Sequence, residues 1–203
     1  MIELHHLKQS RSRRITWMLE ELGQDYTVIS YDRHPQTNLA PPELKAIHPL
    51  GKAPVLRDNG LVVIESAAII EYLIAEYGQG NFIPARGTAD YYRYLQLMHY
   101  AEGSAMLPLL LNLYVGRLGE AGAPLHPRIQ SETANHLGYL NSELEGRDYF
   151  VGDSLTGADV QLSFVAQIGV RNAGREAFPH LTRFVDMLEA RPAYQRAMAK
   201  NGE

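Results

Sequence analysis

The stretch His48-Pro49-Leu50-Gly51-Lys52-Ala53-Pro54-Val55-Leu56, with Glu65-Ser66 following at the head of an apolar helical run, decides how this chain is read. A proline stands directly before a short apolar strand, and the helix beyond opens with an acid and a hydroxyl. A helix start leaves backbone N–H groups without internal partners and attracts anions. Between the two lies a second apolar run, Leu61 to Ile64, joined to the first by Arg57-Asp58-Asn59-Gly60. The Asn-Gly step reads as a tight hairpin turn, so these strands are expected to be antiparallel. From Ser66 onward, Ile69, Ile70, Leu73 and Ile74 fall on one side of a helix.

Toward the amino terminus the pattern is strand, helix, strand: Ile2 to Leu7, Arg13 to Leu22, Tyr26 to Tyr31. Such a βαβ unit implies parallel pairing. Ile15, Met18, Leu19 and Leu22 recur at helical spacing, and Gly23 is placed to close that helix. Glu20 and Glu21 are helix neighbours that point apart and make no acid–base pair. Gly and Pro cluster from Gly78 to Gly87, where a connector is expected. Beyond it no strand pattern follows. Helical runs cover Asp90 to about Arg117, with a kink expected at Pro108, then Pro127 to Glu145, Ala158 to Arg171, Leu181 to Ala190, and Ala193 to Lys200. The expected organisation is an α/β domain over 1–78, a linker over 79–88 and an all-helical domain over 89–203.

With 203 residues, 45% of them hydrophobic and 21% charged, the chain is long enough to fold around real cores. Its net charge of -4 gives no reason to expect nucleic acid or an acidic membrane surface as a partner. No apolar run is long enough to span a bilayer, and the amino terminus begins at once with strand-like sequence, so a cytoplasmic location is expected. There is no cysteine, which excludes disulfides, thiolate metal sites and a Cys-x-x-Cys redox pair. Thiol chemistry here needs a thiol supplied by a ligand. The histidines are scattered and no metal is expected, with His5-His6 the one pair to examine. Thr156 and Asp159 stand at capping-box spacing before an apolar helix, where their role is structural.

Taken together, the Lys52-Ala53-Pro54-Val55 loop, the Glu65-Ser66 helix start and the Thr156-x-x-Asp159 box resemble the glutathione S-transferases over nearly the whole chain. The resemblance implies a thioredoxin-like domain followed by an all-α bundle, acting as a homodimer. It implies that Pro54 is cis, with the backbone of Val55 turned to the cysteinyl amide of glutathione. Glu65 would hold the γ-glutamyl ammonium, Ser66 its carboxylate, and Lys52 the glycine carboxylate. Glu102 matches the place from which an acid reaches the partner's γ-glutamyl ammonium.

In Ser-type members a hydroxyl between the first strand and its helix points at the ligand sulfur, and the Ser10-Arg11-Ser12 version here looks most like the bacterial and fungal Gtt-like branch. Counted from the strand that place is Ser10; counted back from Arg14-Ile15 it is Gln9. Ser10 is taken first and Ser12 second, with Arg11 as a direct cation near sulfur. Arg11, Arg13 and Arg14 together suit an anionic tripeptide better than DNA. A free thiol of pKa about 8.5 is only a few per cent ionised at neutral pH, so a donor to S⁻ would act by lowering that value. The hydrophobic electrophile would lie against the first loop and the first long helix of the bundle, with Leu7, Tyr100, Met106, Leu107 and Leu110 as wall residues. Two other functions fit the same residues: glutathione-dependent peroxide or disulfide reduction, and a non-enzymatic binding or regulatory role.

Overall fold

The computed structural model describes residues 1–202. In chain order the elements are β1 (Ile2–Leu7), α1 (Ser12–Glu21), β2 (Tyr26–Tyr31), α2 (Leu44–Ile47), β3 (Val55–Asp58), β4 (Leu61–Ile64) and α3 (Ser66–Tyr77). There follow α4 (Ala89–Tyr100), α5 (Met106–Gly116), α6 (His126–Glu143), α7 (Gly157–Ala173), α8 (Pro179–Glu189) and α9 (Pro192–Asn201). They form two units: Met1–Phe82 together with the chain from Glu189 onward, and Ile83–Leu188.

In the first unit a four-stranded sheet runs in the order β2-β1-β3-β4. β1 and β2 are parallel, with Ile2 opposite Tyr26 and Leu7 opposite Tyr31; β3 is antiparallel to both β1 and β4. Asn59 and Gly60 take φ of 47° and 82°, the two positive values that a type I′ hairpin demands. α1 ends as the sequence implies: Gly23 N–H bonds to Glu20 C=O and Gln24 N–H to Leu19 C=O, a Schellman closure with Gly23 at φ 63°. Leu4 and Leu56 from the sheet, Met18 and Leu19 from α1, and Ile69, Ile70 and Leu73 from α3 are fully buried.

One apolar stripe does not account for α1, in which every residue from Arg14 to Leu19 is buried. The other side of the helix is covered by α9, which the sequence pattern had grouped with the helical half. Trp17 meets Tyr194 edge-on at 5.4 Å, and Thr16 donates to Asn201 Oδ1 at 2.9 Å. Glu21 accepts two bonds from Arg191, at 2.6 and 2.9 Å, and a third from Trp17 Nε1. Glu20 takes Arg196, Lys200 and the Tyr26 hydroxyl, each at 2.8 Å. The two neighbouring acids do point apart, Glu20 to Arg196 and Lys200 of α9 and Glu21 to Arg191 at its N-cap. Arg191→Ala leaves the nearly buried Glu21 carboxylate with Trp17 alone. It is expected to destabilise by about 2 kcal/mol, a fall of roughly 4–8 °C in the calorimetric midpoint, because the lost bonds are charge-assisted.

In the second unit the expected single helix from Asp90 is broken. A π-helical turn over Ala101–Ala105 separates α4 from α5. Pro108, in the first turn of α5, has no N–H to give and its ring crowds the carbonyl four residues back, at Ser104; the wider turn accommodates both. α7 runs through the core with Val160, Leu162, Val165 and Ala166 fully buried. Its Gly169 permits close approach to α6, since a Cβ there would stand 2.5 Å from a Leu137 methyl carbon. The capping box of Thr156 and Asp159 starts α7 as the spacing predicted. The Asp159 carboxylate accepts from Thr156 N–H and O–H, both at 2.8 Å, and from Phe150 N–H at 2.9 Å.

Candidate functional site

Three pieces of the first unit carry the residues singled out by the sequence. The first is the loop from β1 to α1. Arg33 holds it from outside, donating to the carbonyls of Lys8, Gln9 and Asn38 at 3.0–3.1 Å. Gln9 is exposed at φ 54°, and the chain then turns inward so that Ser10 is only 7% exposed and Ser12 fully buried. The Ser10 oxygen accepts the Ser12 N–H at 3.1 Å and lies 2.9 Å from the Ser12 hydroxyl, whose oxygen also accepts the Leu7 N–H at 3.4 Å. Ser12 is therefore enclosed, with Leu7 and Ser10 as its partners and no exposed side.

The second piece runs from α2 into β3. His48 Nδ1 accepts the Leu50 N–H at 3.4 Å, so this histidine serves its own loop. Gly51 makes the turn at φ 58°, where a Cβ would press on Lys45 Cγ at 2.7 Å. Lys52 is exposed, Ala53 half-buried, and the Ala53–Pro54 peptide is cis. Val55 is paired with His5 on one side and Ile64 on the other. Ala53 stands outside the ladder.

The third piece is the start of α3. Glu65 is the N-cap residue, exposed, at φ 67° and ψ 119°, a conformation unusual for any residue with a Cβ. No side chain caps the first turn, so its N–H groups stay open to an anion. Ser66 is buried and its oxygen accepts from Arg14 Nη1 at 3.2 Å. Arg14, 1% exposed, ties the beginning of α1 to the beginning of α3 and puts a cation beneath the uncapped turn. The sequence reading counted it among arginines for a ligand without seeing that it is internal. The available signal was its position one turn before Met18, in line with the apolar face. Arg13 goes elsewhere: it donates to the Tyr194 hydroxyl at 2.9 Å and the Met198 sulfur at 3.2 Å, so it belongs to the α9 contact. Arg11 is the half-exposed N-cap of α1.

Residues 10–76 match the glutathione S-transferase N-terminal domain and residues 98–192 the C-terminal domain. A relative named glutathione S-transferase 3, from Schizosaccharomyces pombe, is 34% identical over 98% of this chain and 88% of its own length. The chain belongs to the glutathione S-transferase family. A glutathione S-transferase from Actinobacillus pleuropneumoniae has a crystal structure that matches at a TM-score of 0.91 with 40% identity, covering 100% of this chain and 93% of the other. A family member from Pseudomonas fluorescens, solved with two glutathione molecules bound, matches at 0.83 with 26% identity over 97% of this chain and 92% of its own. The sheet order and the helical second unit are thus the thioredoxin-like and all-α parts of the glutathione S-transferase fold.

The residues expected to wall an electrophile site in this transferase fold fall into different environments. Leu7 and Met106 are core residues, 5% and 1% exposed; Leu110 is half-buried and Leu107 is 54% exposed. Tyr100 is half-buried, with its hydroxyl 2.7 Å from His136 Nδ1, and burial, with the neighbouring Tyr139 assisting, pushes its pKa up to about 12. It is a neutral hydrogen-bonding group at physiological pH. Glu102 is half-buried in the π-helical turn. His5 bonds Tyr31 through Nδ1 at 2.9 Å, and burial first, then Arg57, hold its pKa below the ordinary value. Among the described residues no cluster of His, Cys, Asp and Glu is arranged to hold a metal, and no helix is long and apolar enough to cross a membrane.

Proposed function

We propose that the protein is a glutathione transferase that binds glutathione at the start of α3 and ionises its thiol beside Ser10 for attack on a hydrophobic electrophile. The observation that carries this reading is the uncapped first turn of α3 backed by Arg14. The Ser66 oxygen is occupied by the guanidinium, which leaves the hydroxyl proton to donate to the γ-glutamyl carboxylate alongside the free N–H groups. Glu65 takes the ammonium, Ala53 the cysteinyl amide through its backbone, and Lys52 the glycine carboxylate. Ser10 donates to the sulfur and stabilises S⁻. Catalysis is then thiolate stabilisation plus proximity. A homodimer in which Glu102 serves the partner's ammonium subsite is part of the reading, and sedimentation with wild type and Glu102→Gln glutathione titrations tests it.

The ultraviolet absorbance of thiolate, followed across pH with glutathione bound, tests the mechanism. Wild type should lower the thiol pKa below the free value of about 8.5, and Ser10→Ala should return it by about one unit, with a rate loss of about tenfold at neutral pH. Binding with an unshifted pKa in wild type would overturn thiolate activation.

The two glutathiones in the Pseudomonas fluorescens structure favour a second reading. In a protein without cysteine, two glutathione thiols can reduce a peroxide: they join as one disulfide, the O–O bond breaks, and their protons leave with alcohol and water. Accumulation of oxidised glutathione with a hydroperoxide, against thioether formation with an aryl halide, separates the two.

A further inference from the structure

We propose that Ser12 is a positioning residue that fixes the direction of the Ser10 hydroxyl proton, an inference that rests on the reading of Ser10 as thiolate donor. A serine hydroxyl has one proton to give and two lone pairs to fill. Ser12 is fully buried, and its oxygen accepts the Leu7 N–H. Its own proton has to meet an acceptor inside the protein, and the oxygen in reach is that of Ser10, at 2.9 Å. The reverse arrangement, with Ser10 donating, leaves the Ser12 proton buried without an acceptor, which native interiors avoid.

Ser10 then accepts twice, from the Ser12 hydroxyl and from the Ser12 N–H at 3.1 Å. Both lone pairs are occupied. The Ser10 proton cannot turn back into the loop and is presented on the side where the residue retains its slight exposure. The relay runs from the Leu7 N–H through the Ser12 hydroxyl to the Ser10 hydroxyl, and each bond polarises the next toward a stronger terminal donor. Ser12 touches no ligand. It acts through Ser10 alone, by removing the rotamers in which the proton points elsewhere.

The test is an NMR titration of glutathione labelled with 13C at the cysteinyl β carbon, bound to wild type, Ser10→Ala, Ser12→Ala and the double variant. Ser12→Ala should raise the bound-thiol pKa by about half of the one-unit rise expected for Ser10→Ala, leave the affinity for protonated glutathione at low pH unchanged, and add nothing in the Ser10→Ala background. Ser12→Thr, which keeps the hydroxyl, should retain the wild-type value. Should Ser12→Ala fail to fold, Ser12→Cys, nearly the same size and a weak donor, must show the same rise, and the label reports only the ligand thiol. A wild-type pKa in Ser12→Ala, or an effect that adds in full to that of Ser10→Ala, overturns the relay while leaving Ser10 as donor. A wild-type protein that binds glutathione without lowering its pKa overturns the parent reading and the relay with it.

Discussion

Asp159→Ala should lower the unfolding midpoint by roughly 8–16 °C, the largest stability effect expected of any single side chain discussed for this protein. An ordinary cap contributes about 1 kcal/mol. Asp159 does more, because its buried carboxylate takes the Phe150 N–H as well as the Thr156 N–H and O–H. Alanine strands three donors, two of them backbone, at a combined loss of about 4 kcal/mol. Burial raises the pKa from the ordinary 3.8 to about 6, against the hydrogen bonds that favour the charged form. Between those values the native state holds a proton that the unfolded chain has lost. This group's stabilisation is therefore complete below the lower value and is lost as pH rises through the upper one. The change is about 3 kcal/mol in all. Asp159→Asn, which cannot ionise, should remove that slope while keeping one acceptor, so its midpoint falls less than that of alanine. An alanine variant that melts like wild type would mean that the carboxylate does not brace Phe150 to the head of α7.

The box at Thr156 and Asp159 was legible because it is local: donor and acceptor lie within one helical turn, so spacing determines geometry. The same holds for the Asn59-Gly60 turn, whose two positive φ values follow from residue type, and for Gly23. The parallel β1–β2 pair and the β3–β4 hairpin also came from local grammar, whereas the pairing of β1 with β3 that joins them did not. α9 was not legible. Its attachment depends on Arg191, Arg196 and Lys200 finding Glu21 and Glu20 from the far end of the chain, and exposed-looking charges carry no address. The periodicity of α9 says only that one face is apolar, not which unit it covers. The π-helical turn before Pro108 escaped for a related reason: proline forbids regular continuation, but kink and widened turn both satisfy it.

At the site the contrast is sharper. That Glu65 and Ser66 stand at the head of a helix was readable from type and order. Which hydroxyl of Ser10-Arg11-Ser12 is enclosed was not, because that follows from the Leu7 N–H, the Ser10–Ser12 contact and the Arg33 grip on the loop carbonyls. Arg14 was grouped with Arg11 and Arg13 as a cation for an anionic ligand, and its burial was missed since charge ordinarily excludes burial. Its bond to Ser66 puts a buried cation under the first turn of α3. The role of Val55 came from the resemblance alone, and no local signal showed that this residue is paired in the sheet on both sides.

Glu65→Gly should separate stability from binding, moving them in opposite directions. At φ 67° and ψ 119° a glutamate is strained, and strain of this kind amounts to about 1–3 kcal/mol. Glycine adopts the same backbone freely and serves as an N-cap, though it gives the unfolded chain more freedom, worth about 0.4–1 kcal/mol. The net expectation is a stabilisation of about 1 kcal/mol, a midpoint higher by roughly 2–4 °C. Under the proposed function the same change removes the carboxylate that holds the γ-glutamyl ammonium. A charge-assisted bond of about 2–3 kcal/mol then disappears, and the dissociation constant measured by calorimetry should rise by about 30- to 150-fold. Glu65→Gln, which keeps the strain and loses only the charge, should weaken binding to a similar degree without raising the midpoint. A glycine variant that gains stability yet binds as tightly as wild type would remove Glu65 from the ligand site. One that loses both would show that the side chain, rather than the ligand, holds this backbone in place.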